Sequence, residues 1–286
     1  MKSRVLVTGA NGQLGKTIRE ISGDFTISID FVFVDRSELD ITNIESLELL
    51  FQSKDFDYCI NCAAYTNVDL AETEIKQAMS INATAVNNLA INCKKHSVIL
   101  IHVSTDYVFD GAKQSPYLES DTTNPINVYG ESKLLGEEYI RKQLDNYFII
   151  RTSWLYSKFN KNFVKSILSK LKENEELTII TSQKGTPTSC IDLSYFILFL
   201  ITNSITNFGT YHFSAKGDTT WYGLALQISK YLNKSSNVTP IKDYPSKALR
   251  PLHSVLNNNK VEALTKKPLK NWEESVNEVL KSLSKV

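Results

Sequence analysis

The sequence lacks any run of about eighteen apolar residues, the minimum for a helix that crosses a bilayer. The apolar stretch 195–201 is far shorter, and the single Lys and Arg before the first apolar segment favour a first strand over a signal peptide. A large charge excess is also missing, because the net charge is only +1 over 286 residues. General nucleic-acid binders usually carry a strong basic excess. We therefore expect a cytoplasmic protein with neither a membrane nor a nucleic acid as partner.

Cysteine and histidine are scarce, which argues against disulfide and metal chemistry. Four cysteines do not make a disulfide framework in a chain of this length. Cys59 and Cys62 have the C-x-x-C spacing, but they lie in a segment typical of a buried strand, and no second Cys or His pair accompanies them. We interpret the cysteines as core residues in a reducing compartment and predict no metal site.

A glycine-spaced turn near the start is the most informative feature that is present. The apolar segment 4–8 leads into Gly9, Gly12 and Gly15, and residues 16–22 then predict a helix. A strand, a tight turn and a helix N-terminus aim backbone N–H groups at one point, which favours a bound pyrophosphate. The spacing G-x-x-G-x-x-G differs from the commoner G-x-G-x-x-G, so tight strand–helix packing without a ligand is the alternative.

A second apolar segment, residues 30–34, ends at an acidic residue. Asp35 lies 20 residues after Gly15, the separation at which a carboxylate meets an adenosine ribose. Arg36 follows directly, and its guanidinium is suited instead to the 2′-phosphate of NADP. Asp35 favours NADH and Arg36 favours NADPH, so the sequence does not decide between the two cofactors. The alternative is that both residues are ordinary charges in a loop.

Strands and helices alternate through the first half of the chain. The predicted elements that follow the second strand lie at residues 44–51, 58–64, 75–95, 98–103, 129–144 and 147–151. Their alternation and the near-continuous apolar strands predict an α/β fold, a Rossmann-type doubly wound parallel sheet with helices on both faces. Residues 1–152 form the predicted dinucleotide-binding domain. Residues 153–286 predict a smaller, mainly substrate-binding α+β domain, from which part of 188–205 packs back on the first.

Tyr129 and Lys133 are four residues apart, so they share one face of the predicted helix. A lysine ammonium beside a phenol favours the phenolate and lowers a tyrosine pKa that starts at about 10. Such a tyrosine serves as a general acid or base near neutral pH. Thr105 follows the predicted strand 98–103, at the edge where open α/β sheets bind ligands, and can hydrogen-bond the substrate oxygen that Tyr129 would protonate. Thr105, Tyr129 and Lys133 together predict hydride transfer, in which Lys133 also binds the nicotinamide ribose. The alternative is that Tyr129 and Lys133 share an exposed helix face by chance.

Several segments together resemble a known family. They are residues 9–15 (GANGQLG), 61–69 (NCAAYTNVD), 104–111 (STDYVFDG), 127–133 (NVYGESK) and 151–156 (RTSWLY), with shorter matches at 183–188, 220–222 and 250–256. On these segments the sequence resembles the extended short-chain dehydrogenase/reductases, and within them the branch that reduces dTDP-4-dehydrorhamnose. The resemblance extends over nearly the whole chain.

The resemblance implies an oxidoreductase of nucleotide-sugar and polysaccharide biosynthesis. It would reduce the C4 keto group of dTDP-4-dehydro-L-rhamnose to dTDP-L-rhamnose with NADPH or NADH. The residues that would line the cofactor, beside Tyr129 and Lys133, are Gly12, Gln13, Leu14, Asp40, Ile41, Ala64, Tyr65 and Thr66. The residues that would hold the substrate are Thr105, Asp106, Trp154 and Arg250. A core role for Trp154 and a surface role for Arg250 are the alternatives.

Two positions depart from the family pattern. Some members bind magnesium at a dimer interface through a glutamate two residues after the last glycine of the turn, and Thr17 stands there instead. We predict no such metal, and a homodimer stays open. Ser182 occupies a position where an acid is common, which weakens any inference about substrate there.

Other functions fit the same scaffold. A dehydratase would resemble a Thr-Asp-Glu pattern where this chain has Thr105, Asp106 and Tyr107, so elimination of water is disfavoured. Reduction or epimerisation of another nucleotide sugar stays open, because one sequence does not reveal the shape of a pocket. A non-catalytic subunit, similar to the regulatory β subunit of methionine adenosyltransferase, is disfavoured because Thr105, Tyr129 and Lys133 are all present.

Overall fold

The structure, a computed structural model, describes residues 2–234 and 237–284. Its strands are β1 (Ser3–Thr8), β2 (Ile29–Val34), β3 (Tyr58–Asn61), β4 (Ile99–Thr105), β5 (Tyr147–Thr152), β6 (Leu155–Tyr156), β7 (Leu177–Ile180), β8 (Lys184–Gly185), β9 (Thr188–Ser189), β10 (Gly209–His212), β11 (Thr219–Thr220) and β12 (Val238–Ile241). Its helices are α1 (Gln13–Ile21), α2 (Ile44–Ser53), α3 (Val68–Ala71), α4 (Ile75–Met79), α5 (Ala85–Lys95), α6 (Val128–Gln143), α7 (Phe163–Lys172), α8 (Cys190–Thr202), α9 (Trp221–Tyr231), α10 (Asn259–Thr265) and α11 (Trp272–Ser284).

The main sheet of the described chain is parallel throughout, in the order β2-β1-β3-β4-β5-β10. Both faces are covered. Val5 and Val7 point into the core that contains α8, whereas Leu6 between them points into the core that contains α2 and α5. Successive side chains of a strand point to opposite faces, so a doubly covered strand must be apolar at every position. The predicted α/β fold class with a Rossmann-type sheet is confirmed.

The strand order places a crevice at one edge of the sheet. β1 pairs with β2 on one side and with β3 on the other, so the chain reverses its direction across the sheet at β1. Loops that leave the carboxyl ends of two such strands diverge, and ligands of open α/β folds bind in the gap between them. The glycine turn after β1 lies at this position.

The second half of the chain contributes to two places. α8 packs in the same core as β1 and β5, and β10 extends the main sheet by pairing with β5. The helices α7, α9 and α11 enclose a separate core around Trp272. Three short two-stranded ladders (β6–β9, β7–β12 and β8–β11) complete the described part of the second half, and Leu177 of β7 and Val238 of β12 belong to the core around Trp272. No helix of the described residues is long and apolar enough to cross a membrane.

The longest predicted helix differs from the one that forms. Residues 75–95 divide into α4, a π-helical turn at Ser80–Thr84, and α5. The extra residue of a π turn displaces one side chain from the helical register. Here it places the buried Asn82, which accepts from the backbone N–H of Tyr65 at 2.8 Å and donates to the Tyr65 carbonyl at 2.9 Å. The turn therefore holds the loop after β3.

Candidate active site

The glycine turn forms a close-packed cradle at the start of α1. Gly9 has φ +64°, and a Cβ on it would come within 2.6 Å of the backbone of Ala63. A Cβ on Gly15 would lie 2.6 Å from the Gly9 carbonyl oxygen. Only glycine fits both places. The backbone of Gly12 caps α1, so the N–H groups of the first helical turn face the crevice.

A first cleft of about 240 Å³ lies beside this turn, between β1 and β2. Asp35 lines it and accepts from the hydroxyl of Ser37 at 2.6 Å and from its backbone N–H at 2.8 Å. These hydrogen bonds hold the pKa of Asp35 below its usual value, so its carboxylate is ionised at neutral pH. Arg36 also lines the cleft and forms a 3.4 Å ion pair with Asp40. The other predicted cofactor residues along this cleft are Gly9, Gly12, Asp40, Ile41 and Ala64.

A second cleft of about 520 Å³ continues from the first. The two share the lining residues Gly12, Cys62 and Ala64, so together they form one long crevice across the carboxyl edge of the sheet. The other predicted site residues that line the second cleft are Gln13, Leu14, Thr66, Tyr129, Lys133 and Trp154. Gly15 and Tyr65 line neither cleft; Gly15 packs against the turn, and the Tyr65 hydroxyl donates to Glu74 at 2.8 Å.

The first two turns of α6 place Tyr129 and Lys133 on the second cleft. Asn127 caps the helix by accepting from the backbone N–H of Gly130 at 2.8 Å. Lys133 is buried, and its Nζ donates to the carbonyl of Val103 at 2.7 Å. Burial lowers the pKa of Lys133 to about 8.

The prediction that Lys133 lowers the pKa of Tyr129 is wrong for this structure. Burial of the phenol, together with the charge of Asp106, raises the pKa of Tyr129 to about 12. A hydrogen bond with Thr105 lowers this pKa but does not reverse the shift. Lys133 is bound to the backbone of β4 and does not offset the loss of solvent around the phenol. Tyr129 is therefore protonated at neutral pH, the form that a proton donor requires.

The residues after β4 bring a second titratable group to the phenol. Asp106 is buried, and this raises its pKa to about 7, although hydroxyls of Ser254 and Thr105 act in the opposite direction. Tyr107, where a dehydratase would carry a carboxylate, packs its ring edge-on against Tyr129 with centroids 5.9 Å apart. The structure thus brings Thr105, Asp106 and Tyr129 together, and of these three Tyr129 is the one that lines the second cleft.

Two stacked indoles form the opposite wall of the second cleft. The rings of Trp154 and Trp221 lie 3.6 Å apart and nearly parallel, at 7°. Trp154 adopts φ +45°, and a Cβ on Gly185 would strike its ring at 2.7 Å. Trp221 is fixed in turn by donating from Nε1 to Gln183 at 3.0 Å. Trp154 is therefore a half-buried wall of the cleft rather than a core residue.

Arg250 lies in a third cleft of about 300 Å³, which meets the second at the ring of Trp221. Its guanidinium donates to Asp69 at 2.8 Å, and the other carboxylate oxygen of Asp69 accepts from the backbone of Ala248 at 3.1 Å. Arg250 keeps part of its surface exposed to the cleft. The residue is thus placed beside the indole wall but already has an acidic partner.

A family profile described as the RmlD substrate binding domain matches residues 2–285. The chain is 36% identical over 272 residues to the dTDP-4-dehydrorhamnose reductase of Aggregatibacter actinomycetemcomitans, covering 91% of this chain and 92% of that protein. The chain belongs to the dTDP-4-dehydrorhamnose reductase family. The family resemblance predicted from the motifs is confirmed.

Two further relatives of this reductase family bear on cofactor and substrate. The crystal structure of the Bacillus anthracis dTDP-4-dehydrorhamnose reductase in complex with NADP matches with a TM-score of 0.94 and 38% identity, covering 99% of this chain and 100% of that chain. The dTDP-4-keto-6-deoxy-D-glucose reductase of Streptomyces niveus is 33% identical over 276 residues, covering 95% of this chain and 94% of that protein.

Sequence reasoning missed a segment after β6 that contacts the glycine turn. Asn162 donates to the side chain of Gln13 at 2.9 Å, and Asn160 donates to the carbonyl of Asn11 at 2.8 Å. Ser157 donates to the same Gln13 oxygen at 3.1 Å. Asn162 also caps α7, and this local signal is readable from the sequence, whereas its partner across the cleft is not.

Potential metal ligands are dispersed in the described part of the chain, and its cysteines form no disulfide. No group of three or more His, Cys, Asp or Glu side chains is arranged there to hold a metal ion. Thr17, which replaces the glutamate of some members of the dTDP-4-dehydrorhamnose reductase family, donates within α1 to the carbonyl of Gln13 at 2.8 Å. The four cysteines are free thiols.

Proposed function

We propose that this protein reduces the C4 keto group of dTDP-4-dehydro-L-rhamnose to dTDP-L-rhamnose, with NADPH or NADH as the reductant, in nucleotide-sugar biosynthesis in the cytoplasm. One observation carries the proposal. The protonated phenol of Tyr129 lies between a glycine-lined crevice and a wall of stacked indoles, with Thr105 and Asp106 beside it. Family membership supports the substrate class.

The residues present fit a dinucleotide. The crevice is long because its two clefts share a lining, and the glycine cradle leaves no room for a Cβ where the backbone turns. The first turn of α1 would hold the pyrophosphate, Asp35 and Arg36 the adenosine ribose, and Lys133 the nicotinamide ribose. The bound reduced nicotinamide supplies the hydride.

The chain's own residues supply the proton and the orientation. Tyr129 gives its proton to the oxygen that becomes the C4 hydroxyl, and its raised pKa keeps that proton available through neutral pH. Thr105 contacts the same phenol and hydrogen-bonds the substrate oxygen. Asp106 accepts a hydrogen bond from a sugar hydroxyl, and Trp154 packs against the sugar ring.

Residues 153–286 mainly bind the substrate in this proposal. The third cleft extends from Trp221 past Arg250, which gives the nucleoside diphosphate a place beyond the sugar. Arg250 is suited to phosphate because its guanidinium forms paired, charge-assisted hydrogen bonds. It would exchange Asp69 for phosphate or contact both.

A second candidate substrate is dTDP-4-keto-6-deoxy-D-glucose, favoured by the identity to the Streptomyces niveus reductase. Purified protein is given each 4-keto sugar in turn with NADPH or NADH, and the absorbance of the reduced cofactor and the product's stereochemistry are followed. Turnover of dTDP-4-dehydro-L-rhamnose to the rhamnose product supports the proposal. Turnover of the second sugar alone replaces the substrate and keeps the reaction type, and no turnover of either rejects the proposed function. Sedimentation of the same sample tests for a homodimer.

A further inference from the structure

The segment that follows β6 is hydrogen-bonded to the glycine turn. Asn160 donates to the carbonyl of Asn11 at 2.8 Å and accepts from Nζ of Lys16 at 2.9 Å. Residues 157–162, named the clasp, thus join the second half of the chain to the turn and to α1. The clasp also contacts the side chain of Gln13, the first residue of α1.

Backbone atoms fix the orientation of the Asn162 side chain in the clasp. Its Oδ1 accepts from the backbone N–H of Lys165 at 3.1 Å, and its Nδ2 donates to the carbonyl of Ser157 at 2.8 Å. A backbone N–H can only donate and a backbone carbonyl can only accept, so the oxygen and nitrogen of this amide are not interchangeable. The atom that Asn162 turns towards Gln13 is therefore a donor.

This donor in turn fixes the side-chain amide of Gln13. Nδ2 of Asn162 lies 2.9 Å from Oε1 of Gln13, and the hydroxyl of Ser157 lies 3.1 Å from the same oxygen. Exchanging the oxygen and nitrogen of Gln13 would set two N–H2 groups against each other. The amide nitrogen of Gln13 has no hydrogen-bond partner among residues 2–234 and 237–284, and Gln13 lines the second cleft. The group that Gln13 offers to a ligand there is therefore its N–H2.

The charges along the second cleft suit an anionic acceptor. Among the described residues, the charged side chains that line this cleft are Lys133 and Lys161, and no carboxylate lines it. The N–H groups of the first turn of α1 face the same crevice. A donor at this place therefore meets a ligand oxygen that carries negative charge, as the oxygens of a pyrophosphate do.

We infer that Asn162 is a positioning residue, which fixes the amide of Gln13 so that its N–H2 group donates to a pyrophosphate oxygen of NADPH or NADH. The inference rests on the dinucleotide of the proposed function and is independent of the sugar. An amide whose oxygen is already bound presents its donors before the cofactor arrives, so less conformational freedom is lost on binding. Asn162 acts through Gln13, which lies 149 residues away in sequence.

The first test uses the wild-type protein and NADPH, without any sugar. Proton–nitrogen NMR of protein labelled in its glutamine side chains follows the amide of Gln13, which the spectrum of Gln13→Ala assigns. We expect one amide proton of Gln13 to move downfield on binding, because its acceptor becomes a charged oxygen. An unchanged Gln13 signal in protein that binds NADPH overturns the inference and leaves the proposed function in place. Wild-type protein that binds no NADPH overturns both.

The second test compares the dissociation constants of NADPH and NADH, measured by fluorescence titration without sugar. Gln13→Ala should raise both about tenfold or more, since a hydrogen bond to a charged acceptor is lost. Gln13→Glu keeps an oxygen for Asn162 but turns a second carboxylate oxygen towards the pyrophosphate, so it should weaken binding further. Binding by Gln13→Glu that equals or exceeds that of Gln13→Ala overturns the assigned orientation. The ratio of the two constants should change by less than about twofold, because the two cofactors differ only at the adenosine ribose.

The third test is a double-mutant cycle between Asn162 and Gln13. Asn162→Ser keeps an oxygen that caps α7 and removes the amide that holds Gln13. It should raise the dissociation constant of NADPH by about three- to tenfold in the wild-type background, and by less than about twofold in Gln13→Ala. Asn43→Ser, the same exchange at the N-terminus of α2, is the matched control and should leave the constant unchanged. A purely structural role of Asn162 would weaken binding equally in both backgrounds, and that result overturns the inference.

Discussion

The two walls of the crevice are built in different ways. On the side of β4 and α6, the reacting groups are buried polar side chains held by backbone atoms, as Lys133 is held by Val103. On the opposite side, Trp154 rests on Trp221, and the neighbouring segment 239–247 is exposed. In the proposed function, the chemistry therefore lies on the wall that the sheet holds, whereas the sugar is recognised by side chains that are held by stacking and by pairing with one another.

A buried ionic network ties the elements of the first wall together. Glu137, one turn after Lys133, accepts from Ser104 at 2.5 Å and from Arg151 at 2.7 Å. These partners belong to β4 and β5, so the carboxylate ties α6 to two strands. Arg141 on the same helix adds a third donor at 2.6 Å. The two indoles of the other wall are held instead by stacking on each other and by the hydrogen bond from Trp221 to Gln183.

The largest effect is expected from removing this network. Glu137→Gln leaves the guanidinium of Arg151 buried without its charge partner, which should cost about 3–5 kcal/mol of unfolding free energy. Chemical denaturation at pH 7 measures it. Glu138→Gln on the exposed face of the same helix is the control and should change stability by less than about 0.5 kcal/mol. Equal stability of the two variants would mean that the network does not hold the first wall.

The same network predicts a pH dependence of stability. Burial would raise the pKa of Glu137, but Arg151, Arg141 and Ser104 hold it below the usual 4.5. The carboxylate thus contributes stability that is present above pH 4.5 and lost as the pH falls through the lower value of the folded state. Wild-type protein should lose more unfolding free energy on acidification below pH 4.5 than Glu137→Gln does.

The next effect concerns the proton donor. Tyr129→Phe keeps the ring that packs against Tyr107 and removes the proton, so kcat should fall about 100-fold or more with a small change in KM. Steady-state kinetics with the accepted 4-keto sugar measure both constants. Tyr139→Phe, on the same helix but away from the crevice, should retain the wild-type rate. Retained activity in Tyr129→Phe would remove Tyr129 from this role.

A smaller effect is expected at the second wall. Trp221→Ala removes the ring on which Trp154 rests, so KM for the nucleotide sugar should rise about tenfold while kcat changes little. Trp221→Phe retains an aromatic surface and should recover most of the affinity. A loss of kcat as large as that of Tyr129→Phe would show that the two walls are not separable.

The smallest effect is a change of cofactor preference. Asp35→Ala removes a carboxylate that favours a ribose hydroxyl and repels a 2′-phosphate, so the ratio of kcat/KM for NADPH to that for NADH should rise several-fold. Arg36→Ala should lower the same ratio, because the guanidinium is the cation that lines the first cleft. Two changes in the same direction would contradict this assignment of the cleft.

The fold was predictable where a local pattern determines it. The strand predicted at 147–151 agrees with β5 within one residue, because an apolar run that both faces bury is readable from sequence. The predicted helix at 75–95 is interrupted because Asn82 bonds the loop at Tyr65, a tertiary requirement with no local signal. Helix α10 has only seven residues, too few for a periodic pattern.

The candidate site was likewise predictable only where residues close in sequence form it. Tyr129, Lys133 and the glycines are recognisable because one helix or one turn contains them. The pair formed by Asp69 and Arg250 spans 181 residues, and the pair formed by Gln13 and Asn162 spans 149, so only the folded chain reveals them. The pKa of Tyr129 depends on burial and on its contacts with Thr105 and Asp106, and neither follows from the spacing of Tyr129 and Lys133.

The sixth strand of the main sheet has a consequence for protein engineering. β10 pairs with β5 along Gly209–His212, and α8 lies against the same sheet, although both come from the second half of the chain. A chimera joined after residue 152 would bring a foreign strand and helix to this surface. Transplanting the sugar preference of another reductase should therefore begin with segments outside these elements, such as 153–189 and 239–250, and leave the sheet in one piece.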